Sequence, residues 1–312
     1  MPSFEHLPGV YAAAITPLSP TGQFLPDNLP PFLAFLARRG CHGALILGTT
    51  GEGPSFSIAE RLEIYRAATG VRQEYPDFRL LAGTGTPSLE DTIGLTRAVF
   101  ELGYDGVVVL PPYFYRKATL EGLYQWYGQV MRGAVPRGGA LLGYHIPAVS
   151  GVPLPIELLR RLKDAFPDQF AGLKDSTGDA QHASKLGEEF GDELLVFTGN
   201  DTLISHALNH HASGCITALA NLASPEARQV WESWRAGAGQ ARGGVQAQER
   251  LIYQRKVLDR YPPTPAMLKA LLRRKYGFPE WTVRLPLLAH DSATVDQAWH
   301  EIDDFPAAIA DL

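Results

Sequence analysis

Only two cysteines, Cys41 and Cys215, occur in 312 residues, too few and too far apart in sequence for a disulfide framework. The chain shows no secretory leader and no apolar run of membrane-spanning length, so a cytoplasmic setting is expected, with both thiols as small core residues. Positive charge is not in excess either. A formal net charge of −5 leaves no basic field to draw in nucleic acid or an anionic membrane, which points to a small-molecule partner. No GxGxxG turn follows the first strand-like run, so the signature of dinucleotide binding on an open doubly wound sheet is missing.

What is present is alternation. Between Gly9 and about Pro225, short apolar runs alternate with longer amphipathic stretches, the pattern of repeated βα units. The runs Val10–Pro17, Gly43–Gly48, Leu80–Gly83, Gly106–Leu110, Ala140–Tyr144, Phe170–Lys174, Leu194–Thr198 and Gly214–Leu219 predict eight strands. Helical patterns lie between them, as at Ser57–Thr69, Ser88–Leu102, Leu120–Ala134 and Pro155–Phe166. Eight parallel strands close into an α/β fold of the (β/α)8 TIM barrel type, expected over residues 1–226. Residues 227–312 lack the alternation and predict a C-terminal helical extension packed on the barrel, interrupted at Tyr261-Pro262-Pro263-Thr264-Pro265.

A barrel of this kind places its chemistry at the C-terminal ends of its strands. Lys174 ends the apolar run of the sixth strand, where an ammonium is costly to bury. Desolvation there favours the neutral amine, the form that attacks a ketone carbon; the bland alternative is an ion pair between Lys174 and Asp175. Tyr144, one strand earlier, offers a phenol for proton transfer in the same mouth. Gly48-Thr49-Thr50-Gly51-Glu52-Gly53 after the second strand supplies hydroxyls and open backbone N–H groups suited to a carboxylate. Gly199 and Asp201, in Gly199-Asn200-Asp201 after the seventh strand, are further candidates for substrate binding. A metal-dependent aldolase would need several ligands at strand ends. His206, His210 and His211 instead predict a helical face, so no metal and no other cofactor is expected.

The motifs GTTGEG, YxxP and GLKDSTGD, in that order and at strand ends, resemble the dihydrodipicolinate synthase and N-acetylneuraminate lyase superfamily of class I aldolases over nearly the whole chain. That resemblance implies that Lys174 forms an imine with pyruvate or another 2-oxo acid, that Tyr144 relays protons, and that Thr49 and Thr50 hold the carboxylate. It implies backbone atoms around Ile216 in the same pocket, an aldehyde as second substrate, and a homotetramer built as a dimer of dimers. In Pro111-Pro112-Tyr113-Phe114-Tyr115 it implies a tyrosine lent to the neighbouring subunit's proton relay. Counting from the prolines selects Phe114, and counting back from Glu121-Gly122-Leu123 selects Tyr115, which is preferred.

Two departures bear on substrate. Synthases carry an arginine in the turn after the fifth strand, where this chain has Val149, so a bidentate carboxylate clamp is missing. Sialic acid lyases carry an acidic pair after the seventh strand, where this chain reads Gly199-Asn200-Asp201-Thr202. Gly53-Pro54-Ser55 and Tyr144-His145-Ile146-Pro147 resemble instead the aldolases of 2-oxo-3-deoxy sugar acids and of 4-hydroxy-2-oxoglutarate-type substrates. His145 and Ser150 are candidates for reading substrate polarity. The alternatives are a true dihydrodipicolinate synthase, and a silent barrel that binds a 2-oxo acid without turning it over.

Overall fold

The computed structural model describes residues 4–239 and 241–303. Eight strands form one closed parallel barrel in sequence order: β1 (Gly9–Ala13), β2 (Gly43–Ile46), β3 (Arg79–Gly83), β4 (Gly106–Val109), β5 (Ala140–His145), β6 (Phe170–Asp175), β7 (Leu195–Thr198) and β8 (Gly214–Thr217). Each predicted strand is found, with β1, β2, β4 and β8 shortened at the C-terminal end and β5 and β6 one residue longer there. The apolar runs continue past the last ladder bond into the turns that build the mouth.

The helices between strands are α1 (Leu29–Arg38), α2 (Ile58–Ala68), α3 (Leu89–Glu101), α4 (Leu120–Ala134), α5 (Pro147–Ser150), α6 (Ile156–Ala165), α7 (Ala180–Phe190) and α8 (Ile204–Leu208). Their starts follow local chemistry. Ser57 and Glu60 make a capping box on α2, while Ser88, Thr119 and Asp179 accept backbone N–H bonds at the starts of α3, α4 and α7. Among the described residues four more helices follow β8: α9 (Ala220–Arg235), α10 (Arg242–Asp259), α11 (Thr264–Tyr276) and α12 (Ser292–Asp303). A division of the chain at 226/227 would run through α9. The break at residues 261–265 separates α10 from α11. None of the described helices is long and apolar enough to cross a membrane.

Side-chain alternation divides the core in two. Tyr11, Leu45, Leu81, Val108, Leu142, Tyr144, Phe197 and Ile216 fill the barrel interior. Their strand neighbours, among them Val10, Ile46, Ala82, Val107, Leu141 and Leu173, face outward and pack under the helices. Both cysteines are buried in that outer layer, where burial pushes the Cys41 thiol up to about 12.

Candidate active site

The pairing of β5 with β6 sets Tyr144 directly beside Lys174 and, one step on, His145 beside Asp175. Because the pleat alternates, Tyr144 and Lys174 turn into the barrel mouth while the second pair turns outward. Lys174 is 3 % exposed, and its Nζ lies 4.3 Å from the centre of the Tyr144 ring. No ion pair joins Lys174 to Asp175; Asp175 instead accepts from the hydroxyl (3.0 Å) and N–H (3.3 Å) of Thr177. The alternative reading of Lys174 as half of a buried salt bridge is therefore not what the fold builds.

Tyr144 is 6 % exposed, and its hydroxyl is 3.2 Å from Thr49 Oγ1. Burial pushes the phenol upward. The positive charge of Lys174, with hydrogen bonds from Thr49, Lys174 and Ser176, outweighs that and leaves its pKa below the ordinary tyrosine value. Ser176 was not singled out in the sequence. The only signal was its place two residues after the lysine, and its approach to Tyr144 depends on the strand register.

Thr49 and Thr50 sit on a turn closed by bonds from Glu52 N–H to Thr49 O and from Gly53 N–H to Gly48 O, both 3.1 Å. Thr16 donates to Gly51 O at 2.7 Å and ties the turn to the end of β1. Among the described backbone bonds, the N–H groups of Thr49 and Thr50 make none, which leaves two donors for an anion. A Cβ on Gly53 would stand 2.2 Å from Leu47 O, so only glycine closes this turn. A small cavity touches Leu47, Thr49, Gly53, Pro54, Leu110 and Tyr144. A wider cleft around Pro8, His42, Arg79 and Trp231 opens at the opposite end, where the strands begin, and barrel chemistry is not sited there.

The turn is held from the far end of the chain. Glu52, in the left-handed region at φ 58°, is fully buried and accepts from Lys269 Nζ at 2.5 Å and from Arg284 N–H at 2.8 Å. Arg284 also pairs with Glu60 at 2.6 Å, and this bond holds the Glu60 carboxyl down at about 2. Nothing in the local sequence of GTTGEG reveals these partners.

The remaining candidates make no hydrogen bond to Lys174, Tyr144 or Thr49 among the described contacts, although Ile216 shares the barrel-interior cluster with Tyr144. Ile216 is a wholly buried part of the interior packing with Tyr11 and Phe197. At Gly199 a Cβ would stand 1.9 Å from Ser176 Oγ, so this glycine lets the β7 end approach the turn after β6. Asp201 is fully buried and turned toward α10. It pairs with Arg255 at 3.4 Å and its carbonyl accepts from Gln248 at 2.9 Å; burial pushes its carboxyl upward. Phe114 and Tyr115 stack edge to face on the loop before α4, each 74 % exposed on this single chain. Val149, on α5, is exposed. Ser150 is buried and bonded to the backbone of Ile146 and Val152.

The histidines depart from the sequence reading. Of His206, His210 and His211 only the first is helical, because α8 ends at Leu208 and His211 is left-handed at φ 62°. The groups that do converge are His145, Asp175 and His182, each with one ligand atom within 4.8 Å of the others. His145 is 5 % exposed; burial, then the neighbouring His182, lowers its pKa to about 4.

Comparison with known proteins places this geometry in a family. The model of the dihydrodipicolinate synthetase family matches residues 6–302. An uncharacterised DapA-like lyase of Chloroflexus aurantiacus is 39% identical over 281 residues, covering 90% of this chain and 91% of that protein. A 4-hydroxy-tetrahydrodipicolinate synthase of Sorangium cellulosum is 31% identical, covering 93% of each. Among solved structures, the Escherichia coli K12 prophage protein YagE, in complex with pyruvate, superposes with a TM-score of 0.89 at 22% identity, over 95% of this chain and 98% of its own. The closed eight-stranded barrel, the matched span and these relatives together show that the chain is a lyase belonging to the dihydrodipicolinate synthetase family.

Proposed function

We propose that the chain is a class I aldolase in which Lys174 forms a Schiff base with pyruvate or a related 2-oxo acid. The observation that carries the reading is the buried Lys174 beside Tyr144 on neighbouring strands, with Thr49 hydrogen-bonded to the phenol. The amine attacks the ketone carbon to give a carbinolamine. Tyr144 passes protons to the oxygen that leaves as water, and the imine remains. The donors of Thr49 and Thr50 hold the carboxylate. The imine then draws in the electron pair released when the carbon–carbon bond breaks, or the enamine attacks an aldehyde in the reverse direction. No metal is needed for these steps.

For the second substrate, the exposed Val149 where an arginine clamp would stand favours a 2-oxo-3-deoxy sugar acid or a 4-hydroxy-2-oxoglutarate-type compound. Aspartate semialdehyde, the substrate of a true synthase, is the second reading, favoured by the names of relatives such as the Sorangium cellulosum protein. The cytoplasm is the expected compartment. The exposed Phe114–Tyr115 pair is where a homotetramer would lend Tyr115 to a neighbouring subunit's relay.

Borohydride reduction in the presence of pyruvate, read by intact mass and peptide mapping, tests the imine. A pyruvyl adduct on Lys174, absent from Lys174→Ala, is expected, followed by turnover with glyceraldehyde or glyoxylate ahead of aspartate semialdehyde. No adduct on a folded chain removes the pyruvate imine and returns the silent binding barrel.

A further inference from the structure

The strands that carry Tyr144 and Lys174 into the mouth present a second set of groups on their outer face. His145 and Asp175 are paired across β5 and β6, both buried. Across from them, on the first turn of α7, stands His182, its ring stacked on that of His145 at 5.0 Å and 25°. His182 Nε2 is closed off from solvent and has no hydrogen-bond partner. A buried polar atom in that state is costly unless something binds it.

We propose that His145, Asp175 and His182 form a site for one divalent transition-metal ion, zinc above all, set between the barrel wall and α7. Two imidazoles and a carboxylate are the donor set that borderline ions such as zinc and cobalt take, with a water in the fourth place. The supports for the first ligands are already in position. His145 Nδ1 lies 3.2 Å from Leu154 O and 3.0 Å from Leu154 N. Leu154 N–H donates to Nδ1 at the shorter distance, so binding an ion through Nε2 requires the ring to switch to the tautomer in which Nδ1 donates to Leu154 O, the arrangement usual for metal-bound histidine. Asp175 is oriented by the Thr177 hydroxyl, and the backbone of His182 by the Asp179 cap. Bonds of about 2.0–2.2 Å place tetrahedral ligand atoms roughly 3.3–3.6 Å apart, so the three close by about an ångström. His182, half-buried at a helix start, is the group free to move.

Such an ion faces away from the mouth, so it takes no part in polarising a substrate carbonyl. It fastens β5, β6 and α7 at the residues next to Tyr144 and Lys174, and the inference stands independently of the imine chemistry. A carboxylate and histidine cluster without metal is the competing account, but Asp175 takes its hydrogen bonds from Thr177 and His182 Nε2 is left without a partner.

Full-length protein stripped with EDTA and titrated with Zn²⁺ against a chromophoric chelator, and with Co²⁺ read by its visible absorption, tests the site. One ion per chain is expected, with affinity lowered at least ~100-fold, the upper end of the loss seen when only a supporting partner is removed, in His182→Ala and in the gentler His182→Gln. His210→Ala, outside the cluster, should bind as the parent does. No ion retained, equal affinity in the His182 variants, or loss in His210→Ala alone overturns the proposal.

Discussion

Tyr144 and Tyr127 are both buried phenols, yet their surroundings drive them in opposite directions. Tyr127 donates to Val109 O at 2.9 Å, has no cation beside it, and is pushed well above the usual tyrosine range by burial. Tyr144 feels the same burial, but the Lys174 charge and three hydrogen bonds reverse it, which suits a group that must give and recover a proton. Tyr144→Phe should keep the fold and lose turnover by ~10²–10⁴-fold; steady-state kinetics with circular dichroism checks this, and full turnover removes Tyr144 from the mechanism. Lys174, Tyr144 and Thr49 were legible in the sequence because each ends, or directly follows, an apolar run that could only be a strand. Ser176, His182 and Lys269 were not. Their importance comes from neighbours brought in by register and packing, such as Glu52, which lies 217 positions before Lys269.

The turn after β2 is the element on which the proposed carboxylate site depends. Leu47 and Glu52 bracket it in left-handed conformations, at φ 57° and 58°, each costing a non-glycine residue about 1–2 kcal/mol. The Glu52–Lys269 pair that holds this turn is buried, at 0 % and 1 % side-chain exposure. Removing one partner of such a pair strands the other charge and costs about 3–5 kcal/mol. Lys269→Met should therefore lower stability by about that amount and weaken binding of the 2-oxo acid; urea denaturation and the KM for pyruvate report the two effects. An unchanged urea midpoint would show that the pair does not hold the turn. Strand and helix positions were largely readable from the alternation of apolar runs with amphipathic stretches. His210 and His211 were misread because helical spacing was extended past Leu208, where the chain already turns back toward β8.

At the scale of the whole molecule, the closed barrel follows from eight apolar runs, since a parallel sheet buried on both faces leaves no other arrangement of those strands without open edges. Assembly is less readable, because surface aromatics serve both contacts and solvent-facing loops. The exposed Phe114 and Tyr115 are the features that support a tetramer. Light scattering should give a particle four times the 34.1 kDa chain mass, and Phe114→Ala with Tyr115→Ala should shift it toward smaller species. A parent chain that runs as a monomer at assay concentration would exclude a relay shared between subunits. The long-range ties of Glu52 have a further meaning for how the protein is made. Its side chain waits for partners 217 and 232 residues downstream, so on the ribosome the turn bearing Thr49 and Thr50 exists long before its buried carboxylate can be paired. The eight strands are thus synthesised before Lys269 in α11 and Arg284 beyond it can close the Glu52 carboxylate into its pair.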